Sequence, residues 1–291
     1  MDQRLADLLQ LLELEQLEVN LFRGASRDIG SPQVFGGQVL GQALSAAAAT
    51  VDGRVVHSLH AYFLRRGDCN APIVYEVDRS LDGHSFSNRR IVAIQHGQQI
   101  FNMTASFQAE ESGFEHQVAM PQVPPPESLP DSSAPPAQLL AQLPERVRRF
   151  FEQPRPFEFR TVQPIDYLQP RRAAPAREIW FRAVAPLGGD EMLHRRLLAY
   201  VSDFFLLDTA TLPHGTSLLT PKVVMASIDH AMWFHRTLRV DDWLLYAIDS
   251  PSASGARGFA RASVFARDGR LVASAAQEGL VRMRRDAQVH T

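Results

Sequence analysis

HSLHAYFLRR at residues 57–66 and SIDHAMWFHR at residues 227–236 are two copies of one segment. Each contains a His-Ala dipeptide at the same place, at 60–61 and at 230–231, 170 residues apart. Two further pairs downstream are 171 and 172 residues apart: Tyr75 with Tyr246, and Gly97 with Gly269. A nearly constant separation over such a stretch indicates that the chain contains one supersecondary unit twice.

The order of predicted elements is the same in both copies. A helix rich in small apolar residues is predicted at 34–51, opening on a glycine pair, and a second long helix at 192–208. Runs typical of strands follow each helix: 55–64, 72–79, 86–95 and 99–108, then 222–236, 243–249, 257–267 and 270–282. A helix followed by an antiparallel meander predicts an α+β fold in which a curved sheet wraps a helix, twice.

A linker separates the two copies. Residues 121–136 are rich in proline, which excludes a helix or a central strand. We therefore predict an N-terminal unit at 1–115, a proline-rich linker with a short helix at 116–154, and a C-terminal unit at 155–291. Leucines at helical spacing predict one further helix at 5–18.

The composition excludes several classes of function. Thirty basic residues against 32 acidic ones give a net charge of −2, so no general field attracts nucleic acid or a membrane surface. Cys69 is the only cysteine, which excludes an internal disulfide and a zinc site built on thiolates. The N-terminus does not resemble a secretion signal, and no stretch reaches the roughly 20 apolar residues of a transmembrane helix. We expect a cytoplasmic protein that neither binds nucleic acid nor inserts into a membrane.

Four motifs carry a resemblance to a known family: FGGQVLGQAL at 35–44, HSLHAYFLRRGD at 57–68, ASIDHAMWFHR at 226–236 and VASAAQEGLVR at 272–282. In order and spacing they resemble the acyl-CoA thioesterase II family of bacteria and peroxisomes. The resemblance covers nearly the whole chain. It implies a double hotdog fold, two tandem units that each wrap a long helix in an antiparallel sheet.

The resemblance also implies an activity and its residues. It implies hydrolysis of medium- to long-chain fatty acyl-CoA to free acid and CoA, by an activated water and without a covalent intermediate, cofactor or metal. The family's catalytic residues match Asp203 on the second long helix, Ser227 and Gln277. Serine replaces the threonine found in some members, which keeps the hydroxyl and loses a stiffening methyl. A homo-oligomer, a dimer or tetramer, is also expected.

These residue types suit the reaction. A thiol with a pKa of roughly 8.5 leaves readily, so the enzyme must chiefly supply an oriented water and a base. Asp203 lies among apolar neighbours in VSDFFLL, where desolvation raises the pKa of a carboxyl and makes it a better base. Ser227 and Gln277 each donate and accept hydrogen bonds, so they can orient the water.

Other residues are weaker candidates for binding the substrate. Backbone N–H groups of Gly36, Gly37 and Gln38, at the predicted helix start, could bind the thioester oxygen, or the glycines could serve only tight packing. His57 corresponds to Ser227 in the first copy, which suggests a place in the pocket wall. Four arginines are candidates for the CoA phosphates: Arg89, Arg90, Arg257 and Arg261.

Three other interpretations remain open at this stage. Four histidines at 57, 60, 230 and 235 suggest a metal site, but the accompanying carboxylates are missing. An enoyl-CoA hydratase of the same fold would pair its acid with a histidine, whereas the next histidine after Asp203 is His214, beyond a Pro-containing loop. A non-catalytic acyl-CoA-binding or regulatory protein would not need Asp203 and Gln277, and both are present.

Overall fold

The computed structural model describes residues 2–31, 33–133, 140–141, 143, 145–164, 166, 169–217, 219–220 and 222–284. Its helices are α1 (Gln3–Leu12), α2 (Gly36–Ala48), α3 (Glu145–Glu152), α4 (Glu191–Val201) and α5 (Leu206–Thr209). The strands of the first copy are β1 (Glu15–Glu18), β2 (Leu21–Gly24), β3 (Val55–Phe63), β4 (Ile73–Asp82), β5 (Phe86–Gln95) and β6 (Gln98–Gln108). Those of the second are β7 (Phe157–Thr161), β8 (Ala176–Ala183), β9 (Val223–Ser227), β10 (Asp229–Phe234), β11 (Leu244–Ser254), β12 (Arg257–Ala266) and β13 (Leu271–Met283).

All thirteen described strands belong to one antiparallel sheet. Its order is β1-β2-β4-β5-β6-β3-β10-β13-β12-β11-β8-β7, with β9 also paired to β13. The repeated dipeptides lie at its centre, where His60 is opposite Ala231 and Ala61 is opposite His230. The two copies therefore join through the segment that revealed the duplication, and the first and second halves of the sheet have matching strand orders.

Helix α1 is shorter than the leucine pattern predicted. Its apolar stripe, including Leu5 and Leu8, is buried, but the helix ends at Leu12 and residues 15–18 form the edge strand β1. These four residues are all exposed, and Arg23 on β2 donates a hydrogen bond to Glu15. Because they present no apolar stripe to the core, pairing with β2 decides their conformation.

Helices α2 and α4 pack against each other, and the glycines of α2 allow the close approach. A Cβ on Gly37 would lie 2.1 Å from the carbonyl oxygen of Tyr200 on α4. Apolar and small residues line almost the whole of α2, which is buried from Gly37 to Ala47. Tight packing, one of the two interpretations of the glycine pair, therefore applies to Gly37.

The second long helix is interrupted where the sequence predicted it to continue. Helix α4 ends at Val201, a turn follows, and the single turn of α5 begins at Leu206. Phe205 has a φ of +66°, in the left-handed region that an α-helix cannot accommodate. The prediction of one helix at 192–208 is therefore wrong, and Asp203 lies in the turn between α4 and α5.

Between the two halves of the sheet, the described part of the linker contains the short turn at Pro126–Ser128 and helix α3. Residues 134–139, 142 and 144, part of the predicted linker and its short helix, lie outside the described residues. Within the described ranges, no helix has the length and apolar character needed to cross a membrane.

Candidate active site

The turn after α4 is held in place by hydrogen bonds from two strands of the second copy, β10 and β11. The Tyr246 hydroxyl donates to the carbonyl oxygen of Ser202 at 2.8 Å, and the Ser202 hydroxyl lies 2.9 Å from Nε2 of His230. Burial lowers the pKa of His230 to about 3, so this ring is neutral and serves as a hydrogen-bonding group. These contacts fix the backbone immediately before Asp203.

Three side chains meet at this turn, as the sequence predicted for Asp203, Ser227 and Gln277. The Nε2 atom of Gln277 donates to Oδ1 of Asp203 at 2.8 Å and to Oγ of Ser227 at 2.9 Å. Ser227 ends β9, and Gln277 lies on β13 two residues before Gly279, the residue opposite Ser227. The turn and two paired strands thus supply one member each.

The environment of the Asp203 carboxyl favours the neutral acid more than water does. Desolvation raises the pKa of Asp203 from an ordinary value of 3.8 to about 6, against the opposing hydrogen bonds from Gln277, Gly37 and Ser227. A carboxyl with a pKa near 6 is ionised at neutral pH and is a stronger base than an exposed aspartate. The site therefore contains a group suited to accept a proton from water.

Gln277 carries an acceptor that the protein leaves available. Its side chain is fully buried, and within the described residues its Oε1 has no hydrogen-bond partner. A buried carbonyl without a partner is unfavourable by about 1–3 kcal/mol, so a donor that reaches it is bound favourably. In this site, Oε1 can accept a hydrogen bond from a small donor such as a water molecule.

The start of α2 reaches the same carboxylate from the first copy. The backbone N–H of Gly37 donates to Oδ2 of Asp203 at 2.9 Å, and a Cβ on Gly36 would lie 2.6 Å from that oxygen. The anion at this helix N-terminus is thus the carboxylate of the other copy. The N–H group of Gly37 was predicted to bind the thioester oxygen; here it stabilises Asp203 instead.

Gln38 does not face the site, which corrects its prediction as a substrate-binding residue. Its backbone N–H donates to the carbonyl of Phe35, and its side chain is 1% exposed. The amide of Gln38 donates to Ala25 and accepts from the backbone of Arg27. These bonds attach the preceding loop to α2. The side-chain amide of Gln38 therefore stabilises the fold and does not face the substrate.

His57 lies in the first copy's own half of the sheet. Its Nε2 is 2.8 Å from Oγ of Ser106, and the neighbouring Val56 carbonyl accepts a hydrogen bond from Arg195. Arg195 precedes Asp203 by about two helical turns. The structure therefore places His57 away from the Asp203 site. It lies in the first copy, at the position that corresponds in sequence to Ser227 of the second.

The four arginines predicted for the CoA phosphates have different environments. Arg89 is 1% exposed, and its guanidinium is bonded to Thr50 and Asp82, so its prediction as a CoA ligand is wrong. The other three are exposed: Arg90, Arg257 and Arg261. Arg257 is paired with Glu278, and Arg261 with Asp249. Such pairs are ordinary for cross-strand neighbours on the outer face of a sheet.

The sequence did not reveal the roles of Tyr246 and His230 beneath the turn. A signal was present, because both residues lie in the duplicated segments and Tyr246 corresponds to Tyr75. Tyr75 also uses its hydroxyl on an element of its own copy, donating to Gln42 on α2. A polar residue repeated in both copies could thus have been interpreted as a strand-to-helix contact.

No described histidine is hydrogen-bonded to Asp203, so the acid and histidine pair of a hydratase is not found at this site. Within the described ranges, no three His, Cys, Asp or Glu side chains come together as a metal site. The geometry is that of a carboxylate with two neutral groups beside it, which can activate and orient a water molecule.

Two family models match different parts of the chain. The model described as Acyl-CoA thioesterase N-terminal domain matches residues 24–108, and the one described as Acyl-CoA thioesterase matches residues 147–280. Acyl-CoA thioesterase 2 of Haemophilus influenzae is 42% identical over 96% of this chain and 98% of its own length.

Solved structures with similar folds indicate the same family and fold. The crystal structure of an acyl-CoA thioesterase II, TesB2, from Mycobacterium marinum has 42% identity and a TM-score of 0.78, covering 95% of this chain and 98% of that one. A protein of Alicyclobacillus acidocaldarius, described as having a hot dog fold, is 19% identical with a TM-score of 0.77, covering 96% and 99% of the two chains. The predicted double hotdog fold is confirmed.

A double hotdog with this site defines the class of protein, a thioester hydrolase. The chain belongs to the acyl-CoA thioesterase family, and the predicted activity, hydrolysis of the thioester bond of acyl-CoA, is confirmed for it at that level.

Proposed function

We propose that this enzyme hydrolyses medium- to long-chain fatty acyl-CoA by direct attack of a water molecule that Asp203 deprotonates. The observation that carries the proposal is the Gln277 amide, which donates to both Asp203 and Ser227 and so holds the base and the hydroxyl next to each other. No covalent intermediate is needed, because a thioester is activated and its thiolate leaves readily near neutral pH.

Each member of the trio has a separate role in this proposal. Asp203 accepts the proton, and its raised pKa matches the operating pH better than that of an exposed aspartate. The Ser227 hydroxyl accepts from Gln277 and donates its own proton to Asp203, which helps to hold the carboxylate ionised. The Oε1 atom of Gln277 accepts from the water, which directs a lone pair of that water toward the carbonyl carbon.

The carbonyl carbon is proposed to lie at the start of α2. Gly36 lacks a side chain there, so a substrate can approach the Asp203 carboxylate closely. The helix N-terminus favours negative charge, which is what develops on the thioester oxygen during attack. With the Gly37 N–H bound to Asp203, the remaining predicted donor at this end is the N–H of Gly36.

The preference for medium- to long-chain substrates is part of the proposal. Aromatic rings lie beside the site: a Cβ on Gly36 would be 3.1 Å from the ring of Phe63, and the rings of Phe35 and Phe204 are in tilted contact with centroids 4.5 Å apart. Such walls favour an apolar chain over a short polar acid.

A cytoplasmic location and a dimer or tetramer are also proposed. Exposed Tyr62 and Leu64, at the end of central strand β3, provide apolar surface for association.

Direct attack predicts that no acyl-enzyme forms during turnover. We expect mass spectra of the protein, quenched while it hydrolyses a saturating acyl-CoA, to show only the unmodified mass. Hydrolysis in H₂¹⁸O should place a single labelled oxygen in the released acid in a single-turnover experiment. A protein adduct of acyl mass that forms and decays at the rate of turnover would contradict the mechanism.

One active site per chain is expected, although the fold contains two copies. In the first copy His57 corresponds in sequence to Ser227, and Thr104 corresponds to Gln277, because Ala61 pairs with Met103 as Ala231 pairs with Ala276. Residues 29–51 contain no Asp or Glu to serve as the base. The start of α2 instead supports the base of the second copy through Gly37.

A non-hydrolysable thioether analogue of acyl-CoA should therefore saturate near one ligand per chain in calorimetric titration. The Asp203→Asn, Gln277→Ala double variant should lose turnover to background. Two equivalent tight sites, or substantial turnover in this double variant, would show that the first copy has a working site of its own.

A further inference from the structure

The strands that carry Ser227 and Gln277 contain one extra residue beside the active site. Ser227, at the end of β9, lies opposite Gly279 on β13, and Ala231 on β10 lies opposite Ala276. Three residues therefore separate the paired positions on the β9–β10 side, against two on β13. One extra residue in one strand of an antiparallel pair is a β-bulge, and the side chains that follow it point to the opposite face.

This bulge allows two side chains of the segment to face the turn between α4 and α5. Ser227 accepts a hydrogen bond from Gln277 beside Asp203. His230, three residues later, contacts Ser202 in the same turn. In a regular strand, residues three apart point to opposite faces of the sheet, so these contacts could not both form. The active-site geometry therefore depends on the bulge.

The corresponding segment of the first copy has the other phase. His60, which corresponds to His230, is exposed, and Leu59, which corresponds to Asp229, is fully buried. Leu59 belongs to a regular run of pairs with β6, and the irregularity of β3 lies earlier, at His57. The copy that contains the catalytic trio thus has an acid where the other copy has a core leucine.

Asp229 lies in the bulge and completes its hydrogen bonding. The carbonyl oxygen of Ile228 accepts from the N–H of Phe63 on β3, and the N–H of Ile228 donates to the carbonyl of Glu278 at 2.9 Å. The N–H of Glu278 donates instead to Oδ1 of Asp229 at 2.7 Å. A carboxylate thus replaces the main-chain acceptor of a regular ladder. Since Glu278 directly follows Gln277, this bond fixes the backbone next to the catalytic amide.

The surroundings of Asp229 otherwise disfavour a charge. Desolvation raises the pKa of this half-buried carboxyl, and so does the neighbouring Glu278 carboxylate, which is itself paired with Arg257. The hydrogen bond from the Glu278 N–H acts in the opposite direction and favours the ionised form. The contact with the backbone of β13 therefore gives a physical reason for an acid at this position.

We propose that Asp229 is a positioning residue of the active site, whose carboxylate closes the bulge and thereby holds Ser227 and Gln277 in contact with Asp203. The inference rests on the proposed function, because it gives Asp229 a role in aligning the trio for the attack of water. The effect reaches Gln277 through the backbone of β13. A displacement of about 1 Å in such a site can lower the rate by roughly 100-fold.

The test compares two replacements of Asp229. Asp229→Ala removes the acceptor, and we expect kcat to fall by roughly 10- to 100-fold with KM changed by less than about threefold. Asp229→Asn removes the charge but keeps a carbonyl oxygen that can accept from Glu278, so most of the wild-type kcat should be retained. An effect of charge alone would appear equally in both variants.

The pH profile provides a measurement that a merely structural role would not change. The Gln277 amide lowers the pKa of Asp203, so a looser contact should move the acid limb of kcat/KM to higher pH in Asp229→Ala and not in Asp229→Asn. Asp241→Ala is the matched control. Asp241 is a buried carboxylate before β11 that accepts from the Leu187 N–H at 2.7 Å. Its loss should reduce the free energy of unfolding without moving the acid limb.

A wild-type kcat and an unshifted acid limb in Asp229→Ala would overturn the proposal, as would equal losses in Asp229→Ala and Asp229→Asn. If the alanine variant does not fold, Asp229→Glu provides the same comparison. It keeps the charge but moves the acceptor by one methylene, so kcat should fall by at least about threefold, and wild-type kinetics would overturn the proposal. Failure of the catalytic mechanism is distinguishable, since it would appear as retained turnover in Asp203→Asn with Asp229 intact.

Discussion

Replacing Asp203 with asparagine is expected to lower kcat by roughly 10²- to 10⁴-fold, the usual effect of removing a general base. Asparagine keeps the shape of the side chain and can still accept from Gly37, but its amide does not take a proton from water at neutral pH. The effect should appear in kcat more than in KM, because the lost interaction develops during proton transfer.

The pH dependence identifies the base. Since the pKa of Asp203 is raised to about 6, kcat/KM of the wild-type enzyme should fall about tenfold per pH unit below that value, as the carboxyl becomes protonated. The residual activity of Asp203→Asn should lack this acid limb. Thiol-release assays across roughly pH 4–8, about two units either side of the transition, measure both.

The stability of the protein should respond to the same group in the opposite sense to activity. An acid whose pKa is higher in the folded state than in the unfolded chain stabilises the fold when protonated, so this contribution is lost as pH rises from about 4 to about 6. Its magnitude is at most about 3 kcal/mol. The difference in the free energy of unfolding between wild type and Asp203→Asn should shrink by this amount over the range, because the contributions of other groups, such as His230, are common to both proteins.

Asp208→Asn is the matched control for Asp203→Asn. Asp208 lies on α5, close in sequence, and forms a nearly buried ion pair with Arg177 at 2.9 Å. Its replacement should reduce the free energy of unfolding and leave the acid limb unchanged. Near-normal turnover in Asp203→Asn, with the substitution verified by mass, would remove Asp203 from the mechanism.

Gln277→Ala has the second largest expected effect, a loss of roughly 10- to 100-fold in kcat/KM at pH 7. The amide of Gln277 donates to Asp203 and lowers the pKa of that carboxyl, so without it the pKa rises further above 6. More of the base is then protonated at neutral pH, and the water loses an acceptor. Activity should recover in part at higher pH, because only the first of these losses depends on ionisation.

Gln42→Ala separates this functional effect from a structural one. Gln42 is also fully buried, and its side chain is bonded to Tyr75 and to the carbonyls of Leu11 and Ala25. Removing it should destabilise the fold by an amount comparable to Gln277→Ala without moving the pH profile. An unshifted acid limb in Gln277→Ala would contradict the proposed contact with the base, and Ser227→Ala should shift the profile less.

The duplication and the element types follow from the sequence alone, and the catalytic candidates follow from its resemblance to the thioesterase family. Hydrophobic periodicity is a local signal that can be read from each segment, so it predicted α2 and most strands to within a few residues. The motifs around Ser227 and Gln277 lie on paired strands, where register brings two distant segments together regularly. Such information is present in spacing and residue type.

Only the tertiary structure decided the surroundings of each side chain. Asp203 lies in a turn because Tyr246 and His230 hold Ser202, and the Gly37 N–H is turned to that carboxylate because α2 crosses α4 closely. Arg89 and Arg90 are adjacent arginines that the sequence does not distinguish, yet Arg89 is buried and Arg90 is exposed. Burial, desolvation and hydrogen-bond partners depend on contacts between residues that are far apart in the chain. Hydrophobic periodicity reports only on neighbouring residues, so it does not predict these contacts.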